Sequence, residues 1–244
     1  MRRAALTLAL LAGMVALWQG VASLSAVDDL TLASPTETLR ALSDDSSLLI
    51  DNAAVTLVEV VLGLAISVVA GLFFAVAMHL SRTLREAAYP LLIDSQAIPI
   101  VVLAPIFVLA FDYGIGPKLA IVALISFFPI TVNVLDGLRS VDPEAVKMMR
   151  SLDASRWQRL RRVEAPAALP NLFTGVKIAV VFSPIAAVFA EWVGADAGLG
   201  RLIQSDLANY QVARQFAAVV VLSGMALILI GLTALAERRV VTWR

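Results

Sequence analysis

The sequence predicts an all-α, polytopic membrane protein with about six transmembrane helices. Of its 244 residues, 60% are hydrophobic and only 16% are charged. The mean hydropathy is +0.87, and a soluble domain of this length could not bury so much apolar surface in one core. The apolar residues are also grouped in stretches of about 20 residues or more, which is the length needed to cross a bilayer.

The chain contains six such stretches and little sequence besides, so we predict one membrane domain over residues 1–244. They lie near residues 4–24, 53–80, 90–112, 118–138, 171–193 and 216–236. The first could be a secretory signal, because Arg2 and Arg3 precede it and small residues follow at 22–26. Its length and Trp18 near the far end favour a retained anchor.

The distribution of positive charge predicts the orientation. If the N-terminus is cytoplasmic, fifteen of the 19 Lys and Arg residues lie in or next to inner segments. The four in outer segments are Arg40, Lys118, Arg201 and Arg214. The positive-inside rule then places both termini and residues 139–170 in the cytosol. Lys177 is the only basic residue that we expect near a span interior. The absence of cysteine excludes disulfides and thiolate metal sites.

Four polar side chains lie inside predicted spans and are candidates for a translocation pathway. They are Glu59, Asp94, Gln96 and Asn133. Burying a carboxylate in a membrane is costly, so such groups usually face the bundle interior or a cavity. Lining a pathway and holding helices together remain alternatives for each. Asp136 and Glu191 have a third alternative, a place at the membrane interface, and the single histidine, His79, is interpreted as structural.

Prolines predict kinks in three of the spans. Pro99 and Pro105 lie in the third, Pro129 in the fourth and Pro184 in the fifth. Each removes a backbone hydrogen bond, and neighbouring helices must cover the exposed carbonyl groups in lipid. Such kinks suit helices that move, although a purely structural role is an equal alternative.

An acidic outer segment, residues 28–51, separates the first two spans. It holds six acids, among them Asp28 and Asp29, against the single Arg40. Ser34 before Pro35 predicts the start of a short helix. The segment is either a solvated loop or a docking surface.

The polar segment 139–170 carries seven of the 19 Lys and Arg residues and predicts a helical hairpin. Asp142 and Pro143 begin a helix that we expect to reach Leu152, with Val146 and Met149 on the same side as Leu152. After a turn at Asp153-Ala154, Ser155 caps a second helix. We expect that helix to present Trp157, Leu160 and Val163 and to end at Pro166. The hairpin could lie on the inner leaflet or insert into a groove of a soluble partner.

The hairpin resembles the cytoplasmic loop of bacterial ABC importer permeases. That signature is Glu-Ala-Ala, three residues, Gly, nine residues and Ile-x-Leu-Pro, and here Asp153 takes the Gly position and residues 163–166 (VEAP) the last element. The Glu-Ala-Ala element is replaced by KMM at 147–149. ASRWQRLRRV at 154–163 and EWVGADAGLGRLI at 191–203 are typical of the nitrate, sulfonate, taurine and thiamine-precursor branch, which residues 56–243 resemble as a whole.

The resemblance implies a subunit of a larger machine in the bacterial inner membrane. Its implied partners are a second permease copy, a cytosolic ATPase dimer and a periplasmic or lipid-anchored binding protein; no nucleic acid is implied. The chain has three lysines and no Gly-rich phosphate loop, so ATP would bind the partner and no cofactor would bind this chain. The residues expected to contact the ATPase are Glu144, Val146, Met149, Arg150, Leu152, Asp153, Arg156 and Trp157.

The resemblance also implies the favoured substrate, a pyrimidine thiamine precursor of the hydroxymethylpyrimidine type or a related heterocycle, because residues 89–139 look like the members of the branch that import such compounds. Aminopyrimidines offer hydrogen-bond donors that the acidic and amide groups of the candidate pathway could accept. Aliphatic sulfonate, taurine or nitrate are the alternatives. A six-span channel is a remote alternative because it would not need the coupling hairpin. An intramembrane enzyme is equally remote, since the sequence shows neither paired catalytic acids nor a Ser-His pair.

Overall fold

The computed structural model describes residues 2–24 and 31–243. Within these ranges every regular element is helical, and the prediction of an all-α fold is confirmed. Asp28 and Asp29 of the acidic segment, part of the small-residue stretch 22–26, and Arg244 lie outside the described residues.

The described part of the chain forms eleven α-helices. They are α1 (Arg2–Ala22), α2 (Pro35–Asp44), α3 (Ser46–Leu80), α4 (Arg82–Ser95), α5 (Ile100–Phe111), α6 (Ile115–Arg139), α7 (Pro143–Ser151), α8 (Arg156–Arg159), α9 (Ala165–Glu191), α10 (Leu199–Ala208) and α11 (Val212–Val240). A π-helical turn, Leu160–Glu164, joins α8 to α9 without a break.

Four continuous helices in the described ranges are long and apolar enough to cross a membrane. They are α3, α6, the Arg156–Glu191 helix made of α8, the π turn and α9, and α11. The pair α4 and α5 adds a fifth if it is counted as one span. Helix α1 covers the predicted first span, and its apolar part, Ala9–Ala22, is shorter than these.

The predicted third span, residues 90–112, is two helices rather than one kinked helix. Helices α4 and α5 meet at 105°. Pro99 is the cause, because its backbone is extended (φ −64°, ψ 124°) and it disfavours helical geometry in the preceding residue. Pro90 and Pro105 lie within α4 and α5 without ending them.

The prediction that Pro166 ends the second hairpin helix was wrong. The Ala165 N–H donates to the Leu160 carbonyl, five residues back, and this π turn carries the helix past the proline. Pro166 follows this turn directly, at the start of α9, and does not interrupt the helix. The fifth span therefore continues directly from the hairpin.

The chain divides into two compact units, of which the first comprises residues 1–56 and 196–224. Its buried apolar cluster contains Ala41, Leu49, Leu199, Leu202, Ile203, Ala217 and Ala218. Asn52 and Thr56 on α3 accept hydrogen bonds from the N–H groups of Gly198 (2.8 Å) and Leu199 (2.9 Å). These side chains satisfy backbone donors at the start of α10, which would otherwise be unpaired.

Charged groups in this first unit find partners nearby. Arg214 donates to both carboxylate oxygens of the fully buried Asp206, with contacts from 2.6 Å, and lies 3.5 Å from Asp45.

The predicted helix start at Ser34 is confirmed as a capping box with Glu37. The Ser34 N–H and the Ser34 hydroxyl both donate to the Glu37 carboxylate and lower the pKa of Glu37, the N–H having the larger effect. Burial of the carboxyl raises this pKa and partly opposes the two hydrogen bonds.

The second unit comprises residues 57–195 and 225–244 and is built on close packing around α6. A Cβ at Gly63 on α3 would lie 2.5 Å from Val122, and one at Gly175 on α9 would lie 2.8 Å from the Pro129 carbonyl oxygen. Both contacts require glycine, because a real side chain would not fit. Lys177 on α9 pairs with Glu237 on α11.

Candidate functional site

The first hairpin helix begins as its sequence predicts. The Asp142 carboxylate accepts a hydrogen bond from the Glu144 N–H at 2.9 Å, and Pro143 takes the first helical position. Glu144 adds negative charge to the first turn and Arg150 adds positive charge to the last, both favourable to the helix dipole. Helix α7 ends at Ser151, one residue before the predicted end.

The turn between the two helices depends on Asp153 in a left-handed conformation, with φ 53°. The Ala154 N–H donates to the Met149 carbonyl and the Asp153 N–H to the Arg150 carbonyl, each at 3.0 Å. This is the Schellman pattern that usually employs glycine. The prediction that Asp153 replaces Gly in the turn is confirmed, since Asp tolerates this geometry better than most residues.

A second capping box begins α8. The Gln158 N–H donates to the Ser155 hydroxyl, and the Ser155 N–H donates to the Gln158 side-chain oxygen at 2.8 Å. The Arg159 guanidinium donates to the Ala154 carbonyl at 2.9 Å and holds the turn to the second helix. These local bonds fix the angle of the hairpin.

The hairpin leaves three large apolar side chains exposed. Met148 is 61% exposed, Leu152 68% and Trp157 63%. Of the side chains expected on one face with Leu152, Val146 and Met149 are half-buried, whereas Met148 was not among the expected contacts. Glu144, Arg150, Asp153 and Arg156 are exposed. The hairpin thus exposes large apolar side chains together with charged ones.

A hydrogen bond between two side chains connects the hairpin to the end of α3. His79 Nε2 lies 2.9 Å from Glu164 Oε2, and both side chains are largely buried. Glu164 belongs to the π turn, so the contact fixes the place where the hairpin enters α9. His79 has a structural contact here, and the described residues contain no group of three or more potential metal ligands around it.

A second candidate site lies inside the membrane-spanning part of the same unit. Glu59 on α3 is 1% exposed and its Oε1 lies 2.8 Å from Lys118 Nζ on α6. Glu191, at the end of α9, is fully buried and interacts with the Glu59 carboxyl. Three helices therefore meet at a buried group of two carboxyls and one amine.

One expectation about the membrane charges was wrong. Lys118 is buried within α6, a candidate membrane span, so Lys177 is not the only basic residue inside a span. The reason is that α6 begins at Ile115, three residues before Lys118. Glu191, for which a place at the membrane interface was one alternative, is fully buried within the protein.

The other candidate pathway residues are separate from this group. Asp94 and Gln96 are exposed at the end of α4, next to the bend before α5. The Asn133 amide donates to the Pro129 carbonyl at 2.7 Å within α6. Among the described residues, none of the three has a hydrogen bond or ion pair with Glu59.

Comparison with known proteins identifies the family. The family described as "Binding-protein-dependent transport system inner membrane component" matches residues 63–242, which include the hairpin and the bent pair's α4 and α5. The chain belongs to this family. It is thus a permease subunit of an ABC importer, a non-catalytic inner-membrane component whose ATPase is a separate protein.

Two curated relatives resemble this permease over most of its length. The formylaminopyrimidine transport permease protein ThiX of Halalkalibacterium halodurans is 35% identical over 214 residues, covering 87% of this chain and 86% of ThiX. The taurine transport system permease protein TauC of Escherichia coli is 32% identical over 257 residues, covering 99% and 90%.

A solved structure supports the fold alone. An inward-facing form of the MetNI methionine ABC transporter contains a chain that matches with a TM-score of 0.69 at 20% identity. The match covers 82% of this permease and 97% of that chain.

Proposed function

We propose that this permease forms the translocation pathway of an importer for a pyrimidine thiamine precursor. The observation that carries the proposal is the 35% identity to a formylaminopyrimidine permease over 87% of the chain. A riboflavin permease of Chloroflexus aurantiacus, RibX, is 40% identical over 66% of the chain and favours a heterocycle as well. The taurine and sulfonate permeases among the relatives supply the alternative substrates.

The substrate test is uptake by the complete transporter in proteoliposomes. The permease, its ATPase and its binding protein would be reconstituted and offered labelled formylaminopyrimidine, hydroxymethylpyrimidine, riboflavin and taurine. We expect ATP-dependent uptake of a pyrimidine and none of taurine. Uptake of taurine alone would contradict the proposed substrate but not the role of the protein as an importer subunit. Liposomes that lack the binding protein are the control.

The hairpin is proposed to be the coupling device that receives force from the ATPase. Met148, Leu152 and Trp157 expose apolar surface, and exposed apolar patches ringed by charge are typical of protein interfaces. We propose that α7 sits in a groove of the ATPase, with Arg150 and Arg156 at its rim. Closure of the ATPases on ATP would then move the Arg156–Glu191 helix through the hairpin.

Co-purification with the ATPase tests this assignment. Replacing Leu152 and Trp157 together by Asp places charge in the apolar surface and should release the ATPase. Ser140→Asp adds a charge just before the hairpin helix and should not. Retention of the ATPase by the double variant would show that another surface binds it.

The remaining elements of the proposal concern assembly. Two permease copies form the pathway, both termini lie in the cytoplasm, and ATP binds only the ATPase. Asp94, Gln96 and Asn133 are proposed to line the pathway, and Glu59 to border it through its pair with Lys118. The positive charge of residues 139–170 supports the orientation. Asp94→Asn should reduce uptake without affecting assembly; unchanged uptake would remove Asp94 from the pathway.

A further inference from the structure

A cavity of about 560 Å³ lies where the hairpin meets the end of α3 and the start of α4. Five of its eight lining residues are arginines: Arg82, Arg85, Arg150, Arg156 and Arg159. The only carboxylate among the lining residues is Glu164, and it is already paired with His79. The cavity therefore carries a large excess of positive charge.

Most of this charge has no partner within the described residues. Arg82 pairs with Glu86 at 2.7 Å and Arg159 donates to a backbone carbonyl. Arg85, Arg150 and Arg156 have no ion pair or hydrogen bond to another side chain in the described ranges. Clustered guanidinium groups repel one another unless an anion lies between them, and their geometry suits a phosphate group.

An apolar groove of about 510 Å³ on α3 adjoins the cavity and shares Leu80 with it. The groove is lined by seven residues of α3, which include Val69, Phe73, Ala77 and Leu80. Phe73 is 68% exposed and Val69 72%, so the described part of the chain does not cover this side of α3. From Val69 to Leu80 the helix rises about 17 Å, close to the roughly 15 Å thickness of one hydrocarbon leaflet.

We propose that the cavity and groove together bind one anionic phospholipid. The phosphate lies against Arg82 and Arg85 on the α4 side of the cavity, and an acyl chain lies along α3 between Val69 and Leu80. The groove is on a candidate membrane span that ends at the cavity, so the charged part is at headgroup depth and the apolar part at acyl-chain depth. A zwitterionic lipid binds less well, because its cationic group would have to lie near the arginines.

Native mass spectrometry of the full, delipidated chain in detergent tests the proposal. The probes are phosphatidylglycerol, phosphatidylcholine with the same acyl chains, and glycerol 3-phosphate, which has the phosphate but no acyl chain. We expect one phosphatidylglycerol per chain, bound at least tenfold more tightly than phosphatidylcholine. Glycerol 3-phosphate should compete only weakly, because it cannot fill the groove.

Two variants address the two halves of the site. The double variant Arg82→Gln/Arg85→Gln removes two lining charges outside the hairpin and should weaken phosphatidylglycerol binding about tenfold or more. The matched control Arg161→Gln/Arg162→Gln removes two exposed arginines that do not line the cavity, and binding should stay within about twofold. Ala77→Phe fills the groove and should weaken the binding of both lipids, while the affinity for glycerol 3-phosphate should be unchanged.

Four results would overturn the proposal. Equal affinity for the two lipids, or equal losses in the lining and control variants, would show that any lipid binds the surface. Competition by glycerol 3-phosphate as strong as by phosphatidylglycerol would assign the cavity to a soluble phosphate compound. Displacement of the lipid by the purified ATPase, together with loss of ATPase binding in Arg82→Gln/Arg85→Gln, would assign the arginines to a protein interface.

Discussion

The Glu59–Lys118 pair and the hairpin between Ser140 and Glu164 belong to the same compact unit, yet their charges are arranged in opposite ways. Inside the span, the ammonium of Lys118 lies 2.8 Å from a carboxylate and both side chains are almost fully buried. In the hairpin, Arg150 and Arg156 are exposed and have no carboxylate partner among the described residues. The basic group in the span has its counter-charge within the chain, whereas these two arginines of the hairpin have none among the described residues.

The difference follows from the surroundings of each region. A charge within a membrane span must be paired, because an unpaired ion in a low-dielectric medium is very costly. An arginine at the membrane surface is solvated and can remain unpaired until a ligand or partner arrives. Substitutions in the span should therefore affect stability, and substitutions in the hairpin should affect binding.

The largest effect is expected from Lys118→Met. It leaves the Glu59 carboxylate buried without its cation, and removing one partner of a buried pair typically costs about 3–5 kcal/mol. Thermal unfolding in detergent should show a marked loss of stability. The double variant Glu59→Gln/Lys118→Met should recover much of the loss, because the Glu59 charge is removed together with its cation; equal instability would show that the pair is not the source.

Trp157→Ala should weaken binding to the ATPase and leave the stability of the permease nearly unchanged. The side chain is 63% exposed, so unfolding should shift by less than about 0.5 kcal/mol. Removing an aromatic anchor from an interface can cost about 2 kcal/mol, or about 30-fold in affinity for the ATPase. Binding measured with immobilised ATPase checks this. A large loss of stability with unchanged affinity would make Trp157 a packing residue.

An effect of intermediate size on stability is expected at Glu37, whose carboxylate accepts hydrogen bonds outside the membrane-spanning helices. The pKa of Glu37 is lowered by the Ser34 backbone N–H first and its hydroxyl second. The resulting stability is fully present above the unfolded-state pKa of glutamate, about 4.3, and is lost as the pH falls through the lower folded-state pKa.

Glu37→Gln should accordingly destabilise the protein by up to about 1 kcal/mol at neutral pH, and the difference from the wild type should vanish in acid. Unfolding measured across this pH range checks the sign. Asp44→Asn, which removes an exposed carboxylate from the same helix, is the control. A difference that persists in acid would exclude the carboxylate as its cause.

The smallest effect is expected at the hairpin turn. Asp153→Gly removes the steric cost of φ 53° but raises the conformational entropy of the unfolded chain. The free energy of unfolding should therefore rise by only about 0.5 kcal/mol. Asp153→Val should destabilise the turn instead. Hydrogen exchange of the Ala154 amide, which bonds to Met149, reports on this locally. Faster exchange in the glycine variant than in the wild type would contradict the argument.

The sequence predicted features that depend on a few neighbouring residues. The caps at Ser34, Asp142 and Ser155 are set by side chains that reach only two or three residues along the chain. The turn at Asp153 is equally local. Apolar stretches long enough to cross a bilayer also needed no knowledge of their neighbours, and the spans near 53–80 and 216–236 lie within α3 and α11.

Features that depend on contacts distant in sequence could not be predicted. Glu59 and Lys118 are far apart in the chain, and the pattern around Lys118 resembles an ordinary loop after Gly114 and Gly116. The arginine cavity combines α4 with the hairpin, and only the fold brings them together. A proline also has opposite effects at Pro99 and Pro166, because a π turn compensates only at the second.

The π turn also determines the direction in which the hairpin faces. Successive residues of an α-helix are separated by about 100° around its axis, and a π turn accommodates one residue more than an α-helical turn does. Deleting one residue between Leu160 and Glu164 would let this turn close as an ordinary α-helical turn and leave α8 and α9 in nearly their present relative orientation. Converting the turn to α-helix with all of its residues kept would instead rotate α8 by about 100° relative to α9. Trp157 and Arg156 would then face another direction while every helix remained intact, so the π turn sets the direction in which this end of the 36-residue helix faces.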